Sequence, residues 1–240
     1  MSRIKYLLGL ILLFATNFLT AQNDSIYFWK AGKIIAQKSI KNTDLDSLTF
    51  VNPKLVNPTV SIGNQTFMLK NLNVDCYRNG DPIPQVQDPK EWGNLKTGAW
   101  CYYENKVENG VKYGKLYNWF AVNDPRGLAP VGYHIPTLTE WNVLIAFLGG
   151  NSETGIKLKS TTGWNSGTVA NTNSSGFTGL PAGILGGTGF ALEFYSGYWW
   201  SISTRNDGDA WALILDYNGT GTAITFTSPT AGFSVRCIKD

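Results

Sequence analysis

Residues 132–144 read GYHIPTLTEWNVL and contain the only histidine of the 240-residue chain, His134. Thr137 and Glu140 have capping-box spacing: the hydroxyl accepts from the amide three residues on, and the carboxylate reaches back to the Thr137 amide. Pro136 before the cap and Trp141 inside the helix suit a hydrophobic staple. Leu138, Trp141, Leu144, Ile145 and Leu148 recur at helical spacing, and Gly149-Gly150 supplies the left-handed residue that ends a helix. The spacing predicts a helix over 138–148. His134 falls just outside it, in an extended pre-proline segment. A general base needs a positioned nucleophile or carboxylate partner, and the sequence shows none at an interpretable spacing, so His134 reads as a brace for the helix entrance.

Downstream, YWWSIST, AWALILDY, TAITFTS and GFSVRCI are four strand-like runs separated by RNDGD, NGTG and PTA. They predict an antiparallel meander with a hairpin at Asn218-Gly219, where both residues accept positive φ. Trp211, Leu213, Leu215 and Tyr217 alternate with Ala212, Ile214 and Asp216, as a half-buried strand requires. Adjacent Trp199 and Trp200 must point to opposite faces, which sends one ring into the core and leaves the other outward or under a loop. Between helix and meander, 149–189 is dominated by Gly, Ser, Thr and Asn, and reads as a long ordered loop pinned by Trp164, Phe177 and Leu180. Upstream, SIGNQTFMLKNLNV reads as a hairpin turning at Gly63-Asn64, a short helix is expected within 85–95, and GKLYNWFAVND (114–124) is strand or helix. The fold class is α+β, with helices set against a twisted antiparallel sheet.

The N-terminus reads as a signal peptide, 1–21. Arg3 and Lys5 precede the apolar run Leu7–Phe14, and small residues close it at Thr20-Ala21. That run is too short to span a bilayer, and no later stretch serves, so no transmembrane segment is expected in the mature chain. Removing Arg3 and Lys5 from the 20 basic residues leaves 18 against 17 acids, and no polybasic patch suggests nucleic acid. Residues 22–57 form a small unit with strands at Ile26–Trp29 and Ile34–Gln37, a turn at 44–47, a strand-like Leu48–Phe50 and a proline-marked linker over 51–60. With 43% hydrophobic and 15% charged residues, the remainder, 58–240, can bury one sizeable core.

IGNQTFMLKNLNV, YRNGDPIP, YGKLYNWFAV, GYHIPTLTEWNVL, SGFTGLPAG, GYWWSIS and FSVRCIKD occur in an order that resembles the Fibrobacter succinogenes major paralogous domain, over about residues 60–240. The resemblance implies an exported bacterial protein whose biochemical activity is not established. HIPTLTEW and FSVRC are also similar to segments of formylglycine-generating-enzyme-type domains, which implies a C-type-lectin-like fold. The paired active-site cysteines of those enzymes are not recognisable here, so that oxidase activity is not carried over. Family members often have Cys-Pro where this chain has Ala129-Pro130, and Trp at Tyr133. That loss leaves Cys76, Cys101 and Cys237, of which Cys101 and Cys237 are the expected pair because each sits in a core strand-like run.

No Cys/His cluster has zinc spacing, and no cofactor is expected. Asp207 and Asp209 flank Gly208 and offer two hard oxygen ligands, but the loop reads first as a turn, so no metal is assigned. Trp164, Trp200 and Trp211, with Asp207 and Asp209, are the candidate ligand contacts: rings for stacking, carboxylates for hydrogen bonds. The leading expectation is a non-catalytic recognition or surface-structural module for an extracellular glycan or protein. The alternatives are an enzyme on an extracellular polymer, with His134 or Asp209 as base, and an assembly subunit that uses the N-terminal hairpin.

Overall fold

The computed structural model describes residues 25–30, 33–39, 58–167, 169–205 and 208–240. The expected leader, the turn at 44–47, Leu48–Phe50, the linker up to residue 57 and Asp207 lie outside them. The chain divides into two units, Met1–Leu55 and Val56–Asp240. In the first, β1 (Ser25–Lys30) and β2 (Lys33–Ser39) pair antiparallel, with a register shift between Phe28 and Trp29.

The second unit opens on the hairpin β3 (Thr59–Ile62) and β4 (Gln65–Met68). Its turn requires Gly63, because φ is +61° and a Cβ there would lie 2.9 Å from the Phe147 ring. Asp88 caps α1 (Pro89–Gly93) by accepting from the amides of Lys90 and Glu91, with Pro89 at the helix start. β5 (Trp100–Cys101) is followed by α2 (Val107–Tyr113). The aromatic segment 114–124 is both strand and helix: β6 (Leu116–Tyr117) pairs with β5, and Asn118 then caps α3 (Trp119–Val122).

β7 (Tyr133–His134) leads into α4 (Leu138–Phe147), where both halves of the Thr137–Glu140 capping box are made. Trp141, Leu144, Ile145 and Leu148 are buried, and Gly149 and Gly150 have φ of +102° and +86°. The chain does not go straight into a loop here, because α5 (Asn151–Leu158) follows at once. β8 (Ala182–Gly186), β9 (Gly189–Glu193), β10 (Ser196–Thr204), β11 (Ala210–Asp216), β12 (Thr222–Thr227) and β13 (Ile238–Lys239) complete the unit.

Two sheets organise it, with strand orders β12-β11-β10-β8-β9 and β3-β4-β13-β7. The α+β class is observed, with three corrections to the expected meander. The β8–β10 pair is parallel, joined at Gly183 and Gly197. The fourth run, GFSVRCI, leaves the meander: its residues 232–234 make isolated bridges to Leu185, Tyr117 and Trp199, and β13 then inserts between β4 and β7. The β11–β12 connection is wider than a two-residue turn, and neither Asn218 nor Gly219 has positive φ.

Trp199 and Trp200 do point to opposite faces of β10, but both are fully buried because both faces are covered. Trp199 joins Phe67, Trp141, Leu144, Phe177, Leu213 and Leu215. Trp200 joins Trp100, Tyr117, Trp119, Phe233 and Cys237. The long loop is pinned as its aromatic spacing suggested. Phe177 is buried, Trp164 Nε1 donates to the Gly179 carbonyl at 3.1 Å, and Asn173 bonds Thr178 on both its Oδ1 and Nδ2. Arg236, fully buried, ties these parts together by donating to Asn71 Oδ1 and to the carbonyls of Met68 and Phe177.

Candidate functional site

His134 is held in β7 by pairing with Ile238 of β13, and its ring bridges two carboxylates. Nε2 lies 2.7 Å from Glu140 Oε1, and Nδ1 lies 2.7 Å from Asp240 Oδ1. Burial pulls the imidazole down, but the bonds to Glu140 and Asp240 outweigh it and the net shift is upward. Burial likewise raises Glu140, and the Thr137 amide, His134 and the Thr137 hydroxyl together bring it below its usual range. Carboxylates are thus in reach of the ring, a partnership the sequence spacing did not display for Asp240. Each ring nitrogen faces a carboxylate, so the ring is oriented as a clasp between helix entrance and closing strand.

The residues expected to contact a ligand do not form one cluster. Trp200 is buried and its Nε1 donates to the Tyr117 carbonyl at 2.8 Å, so its ring has no face for a ligand. The expectation failed because alternation assigns the two Trp rings to two faces without saying that a second layer covers the second face. Trp211 is partly exposed and meets Phe226 edge-on at 5.4 Å, while the Arg205 guanidinium lies 3.6 Å from the Phe226 ring centre. The Asp209 carbonyl accepts from the Arg205 amide. Trp164 lies elsewhere, partly buried, with the Lys159 ammonium 5.4 Å from its ring. That ammonium donates to the carbonyls of Asp216 and Gly219 at 2.7 and 2.6 Å. Trp211 and Asp216 lie towards opposite ends of β11, hence roughly 16 Å apart at about 3.3 Å per residue.

Cys101 and Cys237 are both buried and both free thiols, so the expected disulfide is not formed. They belong to different apolar clusters, Cys101 beside Trp92 and Tyr113, and Cys237 beside Trp200 and Ala129. Burial pushes the Cys237 thiol up to about 12, which disfavours the thiolate that disulfide exchange requires. Cys76 is exposed. Among the described residues no three His, Cys, Asp or Glu side chains converge to hold a metal ion, and no helix is long and apolar enough to cross a membrane.

A surface that the sequence did not disclose lies at the Tyr217 end of β11. Leu192, Phe194 and Tyr195 are 40%, 44% and 44% exposed, at the end of β9 and on its connection to β10. Leu192 and Phe194 have φ of +68° and +67°, a region that bulky residues enter at a cost on the order of 1–3 kcal/mol each. The surroundings fix that conformation from several sides. Phe194 donates its amide to the Pro181 carbonyl, its own carbonyl accepts from Asn165, and the Tyr195 carbonyl accepts from Tyr217. The Tyr195 and Tyr217 rings meet edge-on at 5.1 Å. Lys112 stands 4.8 Å from the Phe194 ring centre and 4.0 Å from Glu193, whose carboxylate also accepts from Tyr113 at 2.9 Å. The visible signal was the loss of alternation in Leu192-Glu193-Phe194-Tyr195, although side-chain identity does not encode positive φ.

Fold and site define a mixed α+β domain with partly exposed aromatic side chains. The profile of the Fibrobacter succinogenes major domain matches residues 60–239, and the chain belongs to that family. No curated protein and no solved structure matches.

Proposed function

We propose that this chain is an exported bacterial recognition module with a C-type-lectin-like fold, and that it binds an extracellular glycan at the turn Leu192–Tyr195. One observation carries the reading: a strained turn holds Phe194 and Tyr195 toward water, where apolar rings gain nothing from the core. Tyr217 and Lys112 border the rings, and Asn165 joins the same backbone network, so stacking and hydrogen bonding are available together. Export is supported by Arg3, Lys5, the apolar Leu7–Phe14 and the small residues ending at Ala21. The Trp211–Phe226 surface is the lesser candidate, because Arg205 already covers one of its rings.

A polysaccharide microarray probed with the full mature chain tests this. Wild type should bind at least one glycan class, and Phe194→Ala or Tyr195→Ala should each weaken binding about tenfold, roughly 1.4 kcal/mol. Trp211→Ala should leave binding within about twofold of wild type. No glycan bound, with capture of an extracellular protein instead, would replace the glycan reading by a protein-binding one; loss on Trp211→Ala alone would move the site to the other end of β11. A second reading, an assembly subunit, is supported by the two-stranded sheet of β1 and β2, since a lone hairpin is marginally stable in water. Light scattering of chains with and without residues 22–57 separates the two readings.

A further inference from the structure

The two larger sheets of the second unit have four outer strands between them, and three of these edges are blunted. β7 is two residues long and runs into Ile135-Pro136. β3 has four residues, is entered from Pro58, and has Gly176 of the long loop packed against Val60. β9 bends at Leu192, whose φ is +68°, and ends on the charged Glu193. Short strands, prolines, bends and charges are the means by which proteins keep a sheet edge from pairing with another chain.

The fourth edge, β12, has none of them. Its six residues, Thr222–Thr227, include no charge and no proline, and they pair with β11 without a register shift. None of the six is buried, and Ala223 and Phe226 are exposed. Among the described residues the β12 backbone bonds only to β11, so every second residue turns an N–H and a C=O outwards. Helix α5 meets the chain at Thr220 and Gly221, ahead of the strand.

We propose that β12 is a dimerisation edge, which pairs antiparallel with the β12 of a second copy and joins the two sheets into one. Charge selects that occupant, because an uncharged strand set against itself opposes no like charges. The Arg205 guanidinium, 3.6 Å from the Phe226 ring centre, stands at one end of the edge. Antiparallel pairing sets this end against the Thr222 end of the second copy, whereas parallel pairing would bring the two guanidiniums together. Two-fold pairing also consumes the unprotected edge of each copy, and β9 is blunted, so the assembly closes as a dimer instead of growing. The joint is independent of the aromatic turn, which lies at the opposite edge strand of the sheet.

Sedimentation velocity of the full mature chain over a concentration series tests the proposal. The mass should double as concentration passes through something on the order of 10 µM, since one strand pair makes a joint below the standard interface size. Thr225→Lys and Thr225→Glu, in the middle of the strand, should each weaken dimerisation about tenfold or more by opposing like charges. An equimolar mixture of the two variants should restore dimers to within about threefold of wild type, which a folding defect would not allow. A chain that stays monomeric up to about 1 mM would overturn the proposal. So would a dimer indifferent to both Thr225 variants, or a mixture of the two that stays monomeric.

Discussion

At His134 each ring nitrogen has its own carboxylate, and the imidazole and Glu140 are shifted in opposite directions. The folded imidazole is raised above 6.5, so its stabilisation is complete below that pH and is lost as pH climbs through the raised value. Glu140 is lowered below 4.5, so its share is present above 4.5 and is lost as pH falls through the lowered value. The clasp is therefore at full strength between about 4.5 and 6.5. Because the ring is 38% exposed, solvent screening limits it to about 0.2–1 kcal/mol. Thermal melts should show the gap between wild type and His134→Gln widest near pH 5.5 and shrinking by pH 8–9; a gap that grows with pH contradicts the assignment. The cysteines give a second residue-scale test. A thiol reagent should titrate one cysteine, Cys76, in the native chain and all three after denaturation, since Cys101 and Cys237 are buried but unpaired.

Two elements show why local sequence decides some structure and not the rest. Helix α4 was legible because its start is written within four residues: the Thr137 hydroxyl and the Glu140 carboxylate satisfy each other's backbone amides. Thr137→Ala should cost about 1 kcal/mol in denaturant unfolding. Helix α5 was not legible, because Asn151, Ser152 and Gly155 lower its propensity and it has no side-chain cap. Gly155 is there for packing: a Cβ would run into the backbone of Gly221 at the β11–β12 connection. An interior Gly→Ala normally gains up to about 1 kcal/mol in a helix. Here Gly155→Ala should instead destabilise by about 1–3 kcal/mol, which an equilibrium melt will show. The parallel β8–β10 contact was hidden for a related reason, since it runs through Gly183 and Gly197, which leave no alternating side-chain pattern.

Across the whole molecule, Arg236 joins the elements that carry the aromatic surface. Its guanidinium serves Asn71, Met68 and Phe177, from the segment after β4 and from the long loop, and lies 4.4 Å from the Phe177 ring centre. Arg236→Met removes the donors to the Met68 and Phe177 carbonyls and leaves Asn71 Oδ1 with Trp199 Nε1 alone, so unfolding should cost about 1–3 kcal/mol less than in wild type. The loop so anchored continues to Pro181, whose carbonyl accepts the Phe194 amide of the exposed turn. Anchoring keeps the strained turn from relaxing, and that links the packing to the proposed recognition. Sequence alone showed the abundance of aromatic residues but not which rings a second layer would cover. The direct measurement is amide hydrogen exchange on the full mature chain with and without a saturating bound polysaccharide. Protection confined to residues 192–195 and the adjoining 164–167 is the predicted footprint. Protection at 205–211 with none at 192–195 would contradict it.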